Sequence, residues 1–402
     1  MLNDLPKWKK FTGRFLPSYR NLVMIVVLLL FSGILWQIDL IEAKGNDPGT
    51  KEKARVIEEP DNSQIWEIGP LKMGPQNMKV EVLSGPYKGQ QFMASNELRA
   101  NMELDKMFEK GDVILVGILN DADPARDTIN AQDHYRIDHT LLLFSLFAIL
   151  LLCFGGWTGF SALLSFVFSC LVIWKLVIPL CLEGYNALLV TFLAVVVLSV
   201  VIILLVAGLT RKGVAALAGS LLGVFASCLT GWIFTHLFKI NGAVMPYSQA
   251  LLNNGYEFLN ISDIYIGAIF LSSSGAVMDL SMDVASGIEE VSIRRNGLPF
   301  KELLRSGIRI GRSVVGTMTT TLLLAYSGGY LTLMMMFAAQ GTSPIDFINN
   351  PHVASEAVKT LVGSFGLVLV APFTAVVGAW IFSWKNRQNS LQNDAEIAAD
   401  NM

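Results

Sequence analysis

The sequence predicts an α-helical polytopic membrane protein with about eight transmembrane helices and a small extracytoplasmic β-rich domain inserted between helices 1 and 2. Three observations predict it. Hydrophobic residues make up 52% of the 402 positions and charged residues only 16%, against roughly a quarter charged in soluble domains. The charges cluster before residue 22, between 39 and 139, and between 283 and 312. What remains is apolar runs of about 20 residues, the length that crosses a roughly 30 Å hydrocarbon core. Lipid offers backbone groups no hydrogen-bond partner, so such runs must be helices or a closed barrel. Continuous rather than alternating hydrophobicity selects helices.

The expected spans are 22–38, 140–155, 159–180, 186–208, 213–238, 262–282, 313–338 and 359–383. The first follows a basic tail, residues 1–21, with Lys7, Lys9, Lys10, Arg14 and Arg20. A cleaved signal peptide has a similar layout. The long tail, and the absence of a small-x-small site after Trp36-Gln37-Ile38, favour an uncleaved anchor. Gly155-Gly156-Trp157-Thr158-Gly159 suits a tight helical hairpin; Glu183-Gly184-Tyr185-Asn186 and Thr210-Arg211-Lys212-Gly213 suit two further turns. Lys and Arg in short loops set orientation. With the N-terminus inside, the cytoplasmic pieces hold the basic tail, Arg211, Lys212, the cluster Arg294, Arg295, Lys301, Arg305, Arg309 and Arg312, and then Lys385 and Arg387. The opposite short loops hold only Lys239. Both termini are therefore expected inside, and residues 39–139 outside. The seven-helix membrane domain spans 140–383, including a cytoplasmic basic segment at 284–312, and a cytoplasmic tail occupies 384–402.

The 39–139 segment has a different texture. Met78-Lys79-Val80-Glu81-Val82 alternates, Asp112-Val113-Ile114-Leu115-Val116 reads as a second strand, and Ser84-Gly85-Pro86-Tyr87-Lys88-Gly89 between them has hairpin-turn chemistry. A small OB-like barrel is the expected form. In 296–312, Lys301, Arg305, Arg309 and Arg312 share one helical face, with Phe300, Leu304 and Ile308 on another. This reads as a basic amphipathic helix on the inner membrane surface, either contacting lipid or substrate anions or simply anchoring the topology.

Several function classes drop out. The net charge is −3 and no basic, aromatic-interleaved stretch occurs, so no nucleic-acid partner is expected. Cys153, Cys170, Cys181 and Cys228 lie in or at the edge of apolar segments, without a CxxC pair. They read as small buried hydrophobes, and neither a metal nor a cofactor is expected. Enzyme chemistry is disfavoured: His236 has no matching Gly-x-Ser serine and no H-E-x-x-H occurs.

Three helices carry the candidate chemistry. In the fifth span Ala215, Gly219, Gly223, Ser227 and Gly231 recur every four residues, one small face for close helix packing. The sixth places Asp279 and Asp283 on one face, after Ser272, Ser273, Ser274 and Gly275. Intramembrane carboxylates are costly and usually face a cavity or a partner. Two with nearby hydroxyls suit a Na⁺ or proton site; at a cytoplasmic helix end they would simply be solvated. The seventh opens with Gly311, Arg312, Ser313, Gly316, Thr317, Met318, Thr319, Thr320 and Thr321. Its glycine spacing is that of a P-loop, but Thr317 stands where that motif needs Lys. Thr317 and Thr320 would line a polar path facing Asp279, with Arg312 as counter-charge, or else bond between helices. Pro372, with Thr374 nearby, is expected to kink the last span.

Gly275-Ala276-Val277-Met278-Asp279-Leu280-Ser281-Met282-Asp283, with Gly311-Arg312-Ser313, Gly316-Thr317-Met318-Thr319 and Leu323-Leu324-Ala325-Tyr326, resembles the YibE/F-like family of bacterial multi-pass membrane proteins. Lys79 to Gly85, Lys88-Gly89 and Gly111-Asp112-Val113 are similar to that family's soluble region. The resemblance implies a bacterial cytoplasmic-membrane protein and leaves the activity open. Two readings follow. One is an ion-coupled transporter or permease, with Asp279, Asp283, Ser273, Ser274, Thr317, Thr320 and Arg312 binding a small molecule or ion. The other is a non-transporting scaffold or sensor whose outer domain binds an envelope partner. The lipid bilayer is the sure partner, and a homo- or hetero-oligomer fits both.

The topology is directly measurable. With the native cysteines replaced, Lys88→Cys should react with a membrane-impermeant maleimide on intact cells. Asn393→Cys should react only after the membrane is opened.

Overall fold

The structure, a computed structural model, describes residues 19–37, 49–119, 122–124, 127–295 and 297–400. Most of the expected basic tail lies outside them. Contacts divide the chain into two compact units, Glu42–Leu150 and the remainder.

The first unit is a β domain. Its strands are β1 (Gly49–Val56), β2 (Trp66–Ile68), β3 (Leu71–Val82), β4 (Gln91–Arg99), β5 (Val113–Leu119) and β6 (Thr128–His134). They form one sheet in the order β1-β5-β6-β4-β3-β2, and β1 pairs again with β3, from Ala54↔Val82 to Val56↔Val80. The pairings from β1 through β5, β6, β4 and β3 thus return to β1. All are antiparallel except β4–β6. Alternation does the work expected of it: Met78, Val80 and Val82 turn inward along β3, against Phe92, Ile114, Val116 and Ile118. Each full burial of this kind contributes about 1.5–3 kcal/mol. The Ser84–Gly89 turn joins β3 to β4 rather than to the strand at Val113. β4 escapes a sequence reading because its inward positions are Phe92, Ala94, Asn96 and Leu98, with no β-branched residue among them.

One polar residue sits in that core. Gln76 is fully buried, yet its amide donates to Asn62 Oδ1 (2.9 Å) and the Phe108 carbonyl (3.0 Å). Its oxygen accepts from Phe108 N–H (3.1 Å) and Asn96 Nδ2 (3.2 Å). Every bond is made, so the amide clamps the 105–109 loop onto β3 instead of costing stability. On β6, Asp133 takes Arg136 Nη1 (2.6 Å), the His134 N–H (2.7 Å) and Lys106 Nζ (3.2 Å).

Among the described residues the α-helices are α1 (Tyr19–Gln37), α2 (Ile137–Val172), α3 (Ile178–Leu182), α4 (Ala187–Ala207), α5 (Arg211–Leu237), α6 (Ser248–Asn253), α7 (Ile261–Arg294), α8 (Phe300–Gly328), α9 (Leu331–Ala339), α10 (Pro344–Asn349) and α11 (Pro351–Asp400), with a π-helical segment, Ile173–Val177, joining α2 to α3. Among the described residues, five helical runs are long and apolar enough to cross a membrane, or six if the bent pair α8 and α9 counts as one. Eight were expected. The difference lies at three places. The first is α1, one 19-residue helix (Tyr19–Gln37) that carries the expected first span but falls outside the five; the second is α2 with α3, a single 46-residue run, Ile137–Leu182. The third is α8–α9, bent by 63° where Gly328 and Gly329 interrupt it.

The 46-residue run is not straight. Gly156 leaves the helical region (φ 52°, ψ −124°). A Cβ on Gly159 would lie 2.2 Å from the Leu151 carbonyl oxygen, eight residues back. Residues so spaced are about 12 Å apart along a straight helix, so the chain doubles back at these glycines. The other two expected turns are capped ends: Asn186 Oδ1 accepts from Leu189 N–H (3.0 Å), and Thr210 Oγ1 from Gly213 N–H (3.2 Å).

Two further expectations need correction. The basic stretch is not a separate surface helix but the first turns of α8, continuous with the rest. Gly307 sits against Ile288 and Ala375, and Gly311 against Ala371, so this stretch packs directly on α7 and α11. Second, none of the four free cysteines is buried; Cys153 and Cys170 are exposed. Pro372 lies inside α11, whose helix continues on both sides of it.

The small face of α5 packs tightly. A Cβ on Gly219 would meet Thr374 Oγ1 at 2.0 Å and Thr374 Cα at 2.8 Å, whereas Gly316 has open space. Gly219→Ala should therefore cost about 1–3 kcal/mol and lower the unfolding midpoint in detergent. Gly316→Ala should leave it unchanged or raise it slightly. For Asp133, burial alone would raise its carboxyl, but the bonds from Lys106, the His134 N–H and Arg136 hold it below the usual value. Its stabilisation is present above the unfolded pKa of about 3.9 and is lost as pH falls through the lower folded value. Asp133→Asn should make the acid fall in the midpoint shallower below about pH 4.

Candidate functional site

The site grows from the placement of α7. Asn260 caps it, its Oδ1 accepting from Ser262 N–H (3.1 Å) and Asp263 N–H (3.3 Å). Four helices, α4, α5, α8 and α11, pack around it. Tyr265, Ile266, Ile269, Phe270, Val277 and Leu280 are buried among them. One stripe stays open: Ser272, Gly275, Asp279, Asp283 and Glu290 are exposed, at steps of three, four, four and seven. That is the period of a single helical face.

Both aspartates therefore share an open face. The helix also runs on to Arg294 rather than ending near 282. At 1.5 Å per residue, Asp279 sits about 27 Å from one end of α7 and about 22 Å from the other. It is mid-helix, not terminal. No ion pair reaches Asp279 or Asp283 among the described residues; nearby, Lys212 pairs with Glu289 (3.4 Å) and Arg294 with Glu290 (2.6 Å).

α8 runs antiparallel beside α7. Gly287 faces Ile310, Gly307 faces Ile288, and Ser272 Oγ meets the Tyr326 hydroxyl at 2.8 Å. Interpolating between these contacts puts Asp279 level with Met318, between Thr317 and Thr319. Gly275 and Gly316 each have open space where a side chain would stand. Arg312, Ser313, Thr317 and Thr320 are exposed too. Their hydroxyl protons stay at home: Ser313 donates to the Ile310 carbonyl (2.7 Å), Thr317 to Val314 (2.9 Å) and Thr320 to Gly316 (3.0 Å). That leaves lone pairs outward, a set of acceptors suited to a cation or proton donor.

Two expected members do not join. Ser273 and Ser274 are buried, turned away from the carboxylates, and donate to Phe270 (3.4 Å) and Leu271 (2.7 Å) on their own helix. Ser272 is the serine on the acidic face. Arg312 makes no ion pair with either carboxylate; it shares a hollow of about 420 Å³ with Lys301, Arg305 and Arg309, floored by Leu304 and Ile308. Those two apolar residues thus border the basic stripe. Within α5, Ala215, Gly219, Gly223, Ser227 and Gly231 are all buried, against Val277 and Ile266 of α7 and Val362, Gly366, Val370 and Thr374 of α11. His236 is exposed, its Nδ1 against the Trp232 carbonyl (2.7 Å).

A second cluster has no counterpart in the sequence reading. Glu356, Lys359, Tyr326 and Tyr330 meet where α8, α9, α10 and α11 converge, around a cavity of about 360 Å³. Glu356 and Lys359 sit three apart, a signal that was present but easily passed over just before an apolar run.

Five long apolar helices, a central helix covered on all but one polar stripe, and a separate β domain point to a polytopic helical membrane protein. The family model described as YibE/F-like protein matches residues 143–384, more than half of the chain. The chain belongs to the YibE/F-like family. The match stops short of the β-domain segments Lys79–Gly89 and Gly111–Val113, on which the sequence resemblance also drew. No curated protein and no solved structure matches the chain.

Proposed function

We propose that the protein is an ion-coupled membrane transporter or permease rather than an enzyme, with Asp279 and Asp283 as its coupling site. One observation carries this reading: two carboxylates without ion-pair partners lie on the open stripe of the central helix, near its middle. A charge at bilayer depth costs about 2.5–3.5 kcal/mol even on lenient scales. Water, an ion or a proton on that stripe removes the cost, and a site occupied only part of the time is what coupled transport requires. The open glycines Gly275 and Gly316 leave room for the occupant. The outward lone pairs of Thr317 and Thr320 add neutral ligands. In this arrangement the helices form about eight spans, counting α1, the two arms on either side of Gly156, and the bent pair as one each. Both termini lie in the cytoplasm and the β domain lies outside the cytoplasmic membrane.

A second reading, scaffold or sensor, rests on the β domain. The return of its strand pairings to β1, with one parallel pair between β4 and β6, is the pattern of an OB-like barrel. Such a barrel, with its own core, would bind an envelope partner independently of the helices.

Thermal unfolding of the purified chain against pH, Na⁺, K⁺ and divalent ions separates the two. A ligand that binds only the folded state raises the midpoint by mass action. The coupling site requires a Na⁺- or proton-dependent shift that Asp279→Asn and Asp283→Asn both lose, with matching loss of uptake into vesicles. A wild type that responds to none of these ions, with variants equally stable, sinks the transport reading.

A further inference from the structure

The basic face of α8 carries more charge than the helices around it neutralise. Lys301, Arg305, Arg309 and Arg312 are all exposed, and with Leu304 and Ile308 they line one hollow of about 420 Å³. Like charges four apart on a helix repel, and this face holds four cations within about 17 Å along the axis. No carboxylate relieves them. Among the described residues, the ion pairs of the neighbouring stretches are Lys212 with Glu289, Arg294 with Glu290 and Lys359 with Glu356. Glu302, the single acidic residue of α8, does not line the hollow. The face cannot turn away, because Gly307 lies against Ile288 and Ala375 and Gly311 against Ala371 on the packed side of the helix. The first turn adds the partial positive charge of a helix start, and Pro299 at the cap offers it no side-chain acceptor.

These features restrict the occupant. Four uncompensated cations call for an anion, and three guanidinium groups match the oxygens of a phosphate. Leu304 and Ile308 are only half-buried and give the hollow an apolar floor, which a small soluble anion does not use. All six lining residues belong to one helix, so no walls enclose a free ligand. Depth points the same way. Arg312 is the last charged residue before Asp346, so the stripe ends where α8 enters its uncharged run, at the level of lipid headgroups. A zwitterionic headgroup would bring its own ammonium among the four cations. We propose that this face of α8 binds the phosphate headgroup of an anionic phospholipid, with its acyl chains over Leu304 and Ile308. Basic clusters beside a membrane helix attract such headgroups strongly. The site needs α8 in a membrane and does not depend on the coupling carboxylates.

The test uses the purified full chain in nonionic detergent, titrated with phosphatidylglycerol or with phosphatidylcholine of the same acyl chains. Phosphatidylglycerol should raise the unfolding midpoint and saturate, while phosphatidylcholine should do so weakly or not at all. Glycerol phosphate, the headgroup chemistry without the chains, should give no comparable shift. Arg305→Gln with Arg309→Gln should weaken the phosphatidylglycerol effect about thirtyfold, roughly fivefold for each cation near the surface. Arg211→Gln with Arg295→Gln removes the same charge outside the hollow and should keep the effect. Equal shifts by the two lipids overturn the proposal, and so does an equal loss in the two double variants, which would make net charge the cause. A shift by glycerol phosphate as large as that by phosphatidylglycerol overturns it in favour of a soluble anion. If Arg305→Gln with Arg309→Gln does not fold, Arg309→Gln alone against Arg295→Gln alone makes the same comparison. Asp279→Asn should keep the lipid response, so this site stands or falls apart from the coupling site.

Discussion

In a bilayer, helices gain nothing by hiding apolar surface from lipid, which is as apolar as they are. Cohesion has to come from close packing, and in this membrane unit everything depends on places where a side chain is missing. Gly219 lies against Thr374, Gly223 against Val370 and Val277, Gly307 against Ile288 and Ala375, Gly311 against Ala371, and Gly366 against Ser227. These contacts draw α5, α7, α8 and α11 together so closely that most added methyl groups would overlap a neighbour. The dispersion energy of each atom pair is small, but it accumulates over such surfaces.

That packing decides where the polar residues of α7 end up. Four neighbours cover the helix, so its apolar residues are consumed in contacts and a single stripe is left. Asp279 and Asp283 fall on that stripe; Ser273 and Ser274 fall off it. Each hydroxyl's fate follows from its angle about the helix axis, not from its distance in sequence. Ser272, only one residue earlier than Ser273, faces Tyr326 across to α8, and through it the stripe and the Glu356 cavity share a neighbour. The basic residues of α8 are carried on an open face by the same logic. Gly307 and Gly311 take the packed face, and Lys301, Arg305, Arg309 and Arg312 are left outward.

The β domain is organised by a different device. Its apolar core is ordinary alternation, while the loop before β5 is fixed by a buried amide. Gln76 satisfies the Phe108 backbone in both directions and anchors Asn96. At β1, Lys53 reaches Asp138 in an ion pair and also lies 4.6 Å from the Tyr135 ring centre. The polar β1, with only Ala54 and Val56 buried, holds its place through seven pairings to β5. Its own hydrophobicity would not have marked it as a strand.

The sequence by itself determined what depends on local composition and period. Apolar length specified the long helices, alternation specified β3 and β5, and glycine spacing marked the close face of α5. The doubly glycine-flanked reversal at Gly156 and the capped turns at Asn186 and Thr210 were legible for the same reason: backbone conformation there is dictated by one or two residues. Tertiary structure decided what depends on partners distant in the chain. It extended α7 to Arg294, moving Asp279 from a helix end to its middle. It left Arg312 without an ion pair to either carboxylate, and it assembled Glu356 and Lys359 of α11 with Tyr326 and Tyr330 at the end of α8. Periodicity reports which face a residue occupies, but only the neighbouring helices determine whether that face is packed, open or lining a cavity.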